Sequence, residues 1–148
     1  MAEAKEVWLL AVDGAARGNP GAAGCGAVIY DAHGSVVKEL SRYLGHATNN
    51  VAEYEALLMG LEALTAMGVN KIGVQSDSEL LVRQLNGQYR VKNKKLLPLF
   101  ERVRELLRGF EHFRIVHVRR EANQLADRLA NKGIDDALQT NKSRAKVD

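Results

Sequence analysis

Val7-Trp8-Leu9-Leu10-Ala11-Val12, closed by Asp13, is the stretch that decides how this chain folds. An apolar run with no polar alternation suits a strand covered on both faces, near the centre of a sheet. Glu6 and Asp13 flank it. It is too short to cross a membrane, and it lacks the basic flank and small-residue cleavage site of a signal peptide. The rest of the chain has to be arranged around this strand.

Working outward, Gly14–Gly26 is rich in turn residues and Ala27-Val28-Ile29-Tyr30 reads as a second strand. Asp31-Ala32-His33-Gly34 is a short hairpin connection, and Ser35–Tyr43 returns as a third strand. Tyr54, Leu57, Leu58, Leu61, Leu64 and Met67 then recur at helical spacing, with Asn49 or Asn50 placed to cap the helix and Gly68 to stop it. Lys71–Ser76 is a strand, followed by a helix from Asp77 to about Leu85 that Asn86-Gly87 breaks. Leu96–Leu107 forms another helix, with Pro98 tolerated in its first turn. Phe113–Val118 is a fifth strand, and Ala122–Lys132 a last helix stopped by Gly133. This order predicts an α/β fold: a mixed five-stranded sheet, three strands antiparallel and the later ones parallel, flanked by helices. Residues 1–133 form the expected domain, and 134–148 a polar, flexible C-terminal tail.

The chain has 148 residues, 46% hydrophobic and 26% charged, which fits one ordinary globular domain. With no membrane or secretory signal, a cytoplasmic protein is expected, and nothing points to an obligate protein partner, so a monomer is expected too. Cys25 is the single cysteine and reads as a small core thiol. The net charge of +3 is unevenly spread. Residues 1–82 carry five Lys/Arg against ten Asp/Glu, a balance of −5; residues 83–148 carry sixteen against eight, a balance of +8. Such asymmetry suits either an acidic site with a separate polyanion-binding strip, or a solvated helical face with a basic tail.

Four acidic residues stand out, each with two readings. Asp13 ends an apolar strand, where a carboxylate needs a cation or hydrogen-bond donors, yet Asp before Gly is also an ordinary turn. Glu53, in the first turn of the long helix, borders the apolar stripe, but a negative charge is favourable there in any case. Asp77 is placed as a helix N-cap, and Ser76 with Glu79 fits a capping box. Asp127 lies one turn after Asn123, where an acidic residue is commonly just solvated. Their joint placement matters more. If strands one and four are neighbours, Asp13 and Asp77 end side by side, and the two helices can bring Glu53 and Asp127 to the same point. Four clustered carboxylates repel without cations, so such a site takes hard divalent metals through oxygen. Two Mg²⁺ ions about 4 Å apart suit in-line phosphodiester hydrolysis, one activating water and one stabilising the leaving oxygen.

Other chemistries fit less well. The glycines of Gly14–Gly26 lead into a strand, whereas a dinucleotide fingerprint opens a helix, and no P-loop lysine follows. His33, His46, His112 and His117 lack HExxH spacing, and His117 reads as structural.

Asp13-Gly14-Ala15-Ala16-Arg17-Gly18-Asn19-Pro20-Gly21, then Thr48-Asn49-Asn50-Val51-Ala52-Glu53, Ser76-Asp77-Ser78 and Asn123-Gln124-Leu125-Ala126-Asp127 occur in this order. Together they resemble the four signatures of type I ribonuclease H, from about residue 6 to residue 133. The resemblance implies a ribonuclease H-like fold and an endonuclease that hydrolyses the RNA strand of RNA/DNA hybrids. That reaction leaves 5′-phosphate and 3′-hydroxyl ends. It implies Asp13, Glu53, Asp77 and Asp127 as catalytic metal ligands, holding two Mg²⁺ ions with substrate bound, Mn²⁺ being a substitute. By the same resemblance Asn19 and Asn50 lie along the substrate groove with Asn123, and Thr48 and Asn49 lie near a phosphate of the DNA strand.

Two departures from the best-known subgroup are visible. Val118-Arg119-Arg120-Glu121-Ala122 has no histidine where those enzymes carry one, leaving Arg119, Arg120 or Glu121 as loop contributors. The basic handle is also missing: the connection is only Gly87–Lys95, where Arg90, Lys92, Lys94 and Lys95 are expected to meet phosphates beside Tyr89. The chain thus resembles a compact subgroup found in archaea, some bacteria and retroelement-like sequences. Glu79 stands where relatives often place Gln. Two alternatives stay open: a nuclease of this fold acting also on double-stranded RNA or RNA–DNA junctions, and a hybrid-binding module without turnover.

Overall fold

The computed structural model describes residues 6–147, with side chains as far as residue 140. Residues 1–5 and Asp148, the outer ends of the expected domain and tail, lie outside the described residues. The elements are β1 (Trp8–Gly18), β2 (Gly21–Tyr30), β3 (Val36–Ala47), α1 (Asn49–Ala66), β4 (Lys71–Ser76), α2 (Glu79–Leu85), α3 (Leu97–Arg108), β5 (His112–His117) and α4 (Gln124–Val147). A single 3₁₀ turn, Arg120–Ala122, leads into α4.

The sheet order is β3-β2-β1-β4-β5, with β1–β2 and β2–β3 antiparallel and β1–β4 and β4–β5 parallel. The opening run is therefore the central strand, as expected, and its two faces feed two cores. Leu10 and Val12 join the larger core with α1 and α3, whereas Ala11 packs with Val28, Ala126 and Leu129 under α4. Cys25 is buried in the larger core, where loss of solvation pushes its thiol up to about 12; it is a packing residue.

Several boundaries differ from expectation, each for a physical reason. Gly14–Gly26 is not a loop: β1 continues to Gly18 and β2 starts at Gly21. Its glycines serve close approach, which composition alone cannot separate from turn formation. A Cβ on Gly14 would strike the backbone of Ala52 and Glu53 in α1, and one on Gly26 would strike Ala126 O and Ala130 N in α4. The α1 cap is Thr48, whose hydroxyl accepts from Val51 N at 3.2 Å, not Asn49 or Asn50. Ser78 caps α2, accepting from Leu81 N at 3.2 Å, which releases Asp77 from the capping role.

The last helix also does not stop at Gly133. Helix α4 runs on to Val147, so the stretch expected as a tail from Ile134 begins as helix. Gly133 lets the helix lie against β3, where a Cβ would come within 2.7 Å of Arg42 O. Ile134, fully buried, anchors the next turn. The Asp31–Gly34 hairpin is as expected: Asp31 Oδ1 accepts from His33 N and Ser35 N, and Gly34 supplies φ +86°.

Candidate active site

Parallel pairing of β1 with β4 sets Val12 opposite Ser76, so the next residues, Asp13 and Asp77, emerge side by side at one end of the sheet. Asp13 is only 7% exposed and accepts from Gly14 N at 3.0 Å. Glu53 reaches the same place because Gly14, the next residue of β1, lets the start of α1 settle on the strand. Glu53 lies just beyond the first turn of α1, so a helix-end charge effect is a weaker account of it than the sequence suggests. Asp127 sits in the first turn of α4, which reaches β1 over Gly26, the residue paired with Asp13.

Asn123 completes this docking. It is 3% exposed, and its Nδ2 donates to Val12 O at 2.9 Å, tying the entry of α4 to the residue before Asp13. It is thus a buried brace and not the groove-side contact expected. His117 stands at the end of β5, with its Nε2 3.2 Å from Asp77 O.

The electrostatics mark the four carboxylates as one group. Burial, then the charge of Asp77, then Asp127 and Glu53, push Asp13 up to about 8. Burial raises Glu53 to about 7, with the Ser78 hydroxyl easing it down and the charge of Asp77 raising it further. Asp77 Oδ2 is buried with no hydrogen-bond partner. Among the described residues no three His, Cys, Asp or Glu side chains are gathered into a metal-coordinating geometry. The chemistry of the donors nevertheless fits a hard divalent cation: all are oxygens, their neighbours raise the proton affinity of Asp13 and Glu53, and one buried oxygen of Asp77 has no donor.

The metal-free protein should show this repulsion in its stability. Folded Asp13 and Glu53 hold their protons up to about 8 and 7, against 3.8 and 4.5 for the ordinary groups. Raised carboxyl values favour the fold at low pH, and that stabilisation is lost as pH rises through 7 to 8. In EDTA the melting temperature is expected to fall as pH rises from about 4 and to level off above about pH 8, and Mg²⁺ to offset the fall near neutral pH. Calorimetry checks both; a flat profile in EDTA contradicts the cluster.

The other expected residues fall into three groups. Asn19 Oδ1 accepts from Asn49 N at 3.1 Å, so Asn19, Thr48, Asn49 and Asn50 share the end of β1 and the start of α1. Arg90, Lys92, Lys94 and Lys95 are exposed on the connector between α2 and α3. There Arg83 holds Tyr89, donating to its hydroxyl at 3.0 Å and lying 5.2 Å from the ring centroid. Arg119, Arg120 and Glu121 are exposed before α4, and Arg120 and Glu121 line one pocket with Gln124, Asp127 and Arg128. The sequence reading missed Ser78, Arg17 and Asn131 as neighbours of the site. Asn131 had a signal, since it follows Asp127 by one helical turn.

The sheet order, the two helical layers and the acidic end of β1 and β4 define a ribonuclease H-like fold. Residues 11–133 match the family model described as reverse transcriptase-like. Ribonuclease HI of Halobacterium salinarum is 45% identical over 125 residues, covering 84% of this chain and 63% of that protein. The bifunctional protein Rv2228c of Mycobacterium tuberculosis is 41% identical over 133 residues, covering 89% of this chain and 36% of that protein. This chain thus spans less than two thirds of each. Among solved structures, LC11-RNase H1 in complex with an RNA/DNA hybrid superposes with a TM-score of 0.84 at 44% identity, covering 88% of this chain and 99% of that one. The chain belongs to the type I ribonuclease H family. No helix among the described residues is long and apolar enough to cross a membrane.

Proposed function

We propose that this protein is a metal-dependent endonuclease that hydrolyses the RNA strand of RNA/DNA hybrids, leaving 5′-phosphate and 3′-hydroxyl ends. The observation that carries this is the convergence of Asp13, Glu53, Asp77 and Asp127 from four separate elements onto one end of the sheet. Kinship to a protein solved with an RNA/DNA hybrid supports the substrate class.

In this reading the four carboxylates hold two Mg²⁺ ions, or Mn²⁺ in their place. Divalent ions so held supply Lewis acidity at the scissile phosphate and lower the pKa of the attacking water. The chain's own part is orientation. The buried strand end holds Asp13, the Gly14 contact seats Glu53, and Asn123 draws Asp127 toward β1. Asn19, Thr48, Asn49 and Asn50 line the approach at the head of α1, where the helix dipole favours a phosphate. Sensing of 2′-hydroxyls in the minor groove distinguishes the RNA strand.

The test is cleavage of end-labelled RNA in a hybrid with Mg²⁺ or Mn²⁺, beside double-stranded RNA and a duplex carrying one ribonucleotide. Cutting of the hybrid with 5′-phosphate products is expected; intact hybrid across metals and pH overturns the proposal.

The basic connector contributes affinity more than chemistry. Changing Lys92, Lys94 and Lys95 to Ala is expected to weaken hybrid binding about tenfold at 0.1 M salt. It should also flatten the dependence of log K on log salt by roughly one unit for each phosphate that a lysine no longer neutralises. Binding isotherms at several salt concentrations check this, and an unchanged slope removes the connector from the interface.

A further inference from the structure

Asp127 is backed by a chain of polar contacts running away from the site. Asn131 Nδ2 donates to Asp127 O at 3.1 Å and to Asp127 Oδ1 at 3.4 Å. On the other side, Arg17 Nη2 donates to Asn131 Oδ1 at 3.4 Å, and it pairs with Asp135 Oδ1 at 2.7 Å. The residues come from the far end of β1 and from successive turns of α4.

An Asn amide is ambiguous by itself, since its oxygen and nitrogen can exchange places by a flip. Arginine has only donors, so Arg17 requires the oxygen of Asn131 and leaves the NH₂ to face Asp127. Asp135 in turn holds the guanidinium in register. With side chains 42% and 63% exposed, the Arg17–Asp135 pair adds little to stability. Its consequence is directional.

We infer that Asp135, Arg17 and Asn131 form a brace that fixes the orientation of the Asn131 amide and so aims the Asp127 carboxylate into the acidic site. None of the three touches the reacting atoms in this scheme; they are positioning residues. The inference rests on the nuclease reading and goes beyond it by naming what orients its fourth carboxylate. Partners of metal-binding carboxylates act in this way, and their loss costs about 10- to 100-fold in metal affinity or activity.

The experiment uses the full chain and has two arms. Mn²⁺ titration by calorimetry without nucleic acid reads metal affinity, and hybrid cleavage reads kcat and KM separately. Asn131→Ala is expected to weaken Mn²⁺ binding and lower kcat about tenfold, with KM for hybrid unchanged. Asn131→Asp, which matches the shape but turns an oxygen toward Asp127, is expected to lose at least as much. Arg17→Ala should show a smaller loss, partly restored in Arg17→Lys, and the Arg17→Ala/Asn131→Ala pair should be no worse than Asn131→Ala alone. The metal-free melting temperature of each variant serves as the folding control. If the wild type cuts hybrids and folded Asn131→Ala and Asn131→Asp keep both metal affinity and kcat, the brace is overturned and the nuclease reading stands. If the wild type neither cuts hybrids nor binds Mn²⁺, the nuclease reading fails and the brace with it.

Discussion

Asp13→Asn is expected to reduce hybrid cleavage about a thousandfold or more while making the metal-free protein more stable above pH 8. The two effects have one cause. Asp13 is nearly buried at the end of β1, and burial together with Asp77, Asp127 and Glu53 raises it to about 8. Above that pH the metal-free fold must hold a desolvated negative charge among three others, which costs stability. Asn has nearly the same shape and no charge, so it relieves the repulsion and keeps the strand. In the proposed nuclease it also removes a metal ligand from a unit whose members act together, and such losses are far from additive. Cleavage assays and thermal melts in EDTA at pH 7 and 9 check both halves. Activity retained within about tenfold would remove Asp13 from the catalytic group. A variant no more stable than wild type at pH 9 would mean the carboxylate is not strained by its neighbours.

Gly26→Ala is expected to damage both the fold and the site with a single methyl group. Gly26 pairs with Asp13 across β1–β2, and α4 rests directly on it. An added Cβ would strike Ala126 O and meet Ala130 N at 2.6 Å and Leu129 Cβ at 2.7 Å. Two of these are backbone atoms of a packed helix and cannot rotate aside, so α4 itself must shift. Overpacking of this kind costs about 3 kcal/mol. That corresponds to a fall in melting temperature of roughly 10 °C. The shift also moves Asp127, one residue from the contact, away from Asp13. Activity should therefore drop by more than the folded fraction explains, and thermal melts with cleavage assays on the folded protein check it. Gly34→Ala is the natural control. It has open space around its Cβ but φ +86°, so it should strain the turn without affecting the site.

Much of this protein was legible in its sequence because the signals were local. Val7–Val12 announced a doubly covered strand, and Leu10, Ala11 and Val12 are indeed buried between two layers. The helical spacing of Tyr54, Leu57, Leu58, Leu61 and Leu64 announced α1, and all five are buried. The order of the elements then restricted the sheet to a mixed topology, and the four carboxylates could be singled out, though each had an ordinary explanation.

What the sequence determined by itself, then, was the set of elements, the central strand, and which acidic residues were candidates. Periodicity, caps and breakers act within a few residues, so a chain read in order displays them. The tertiary structure alone decided how the candidates combine. Pairing of β1 with β4 set Asp13 beside Asp77, and seating of α1 and α4 on Gly14 and Gly26 brought Glu53 and Asp127 to them. It also decided that Asn123 is buried against Val12 O, that Ser78 and not Asp77 caps α2, and that Gly133 is a packing contact inside a longer helix. In each case a glycine, a serine or an amide has two local uses of similar energy. The choice between them depends on which backbone arrives from a distant part of the chain, and that is a property of packing, not of neighbours in sequence.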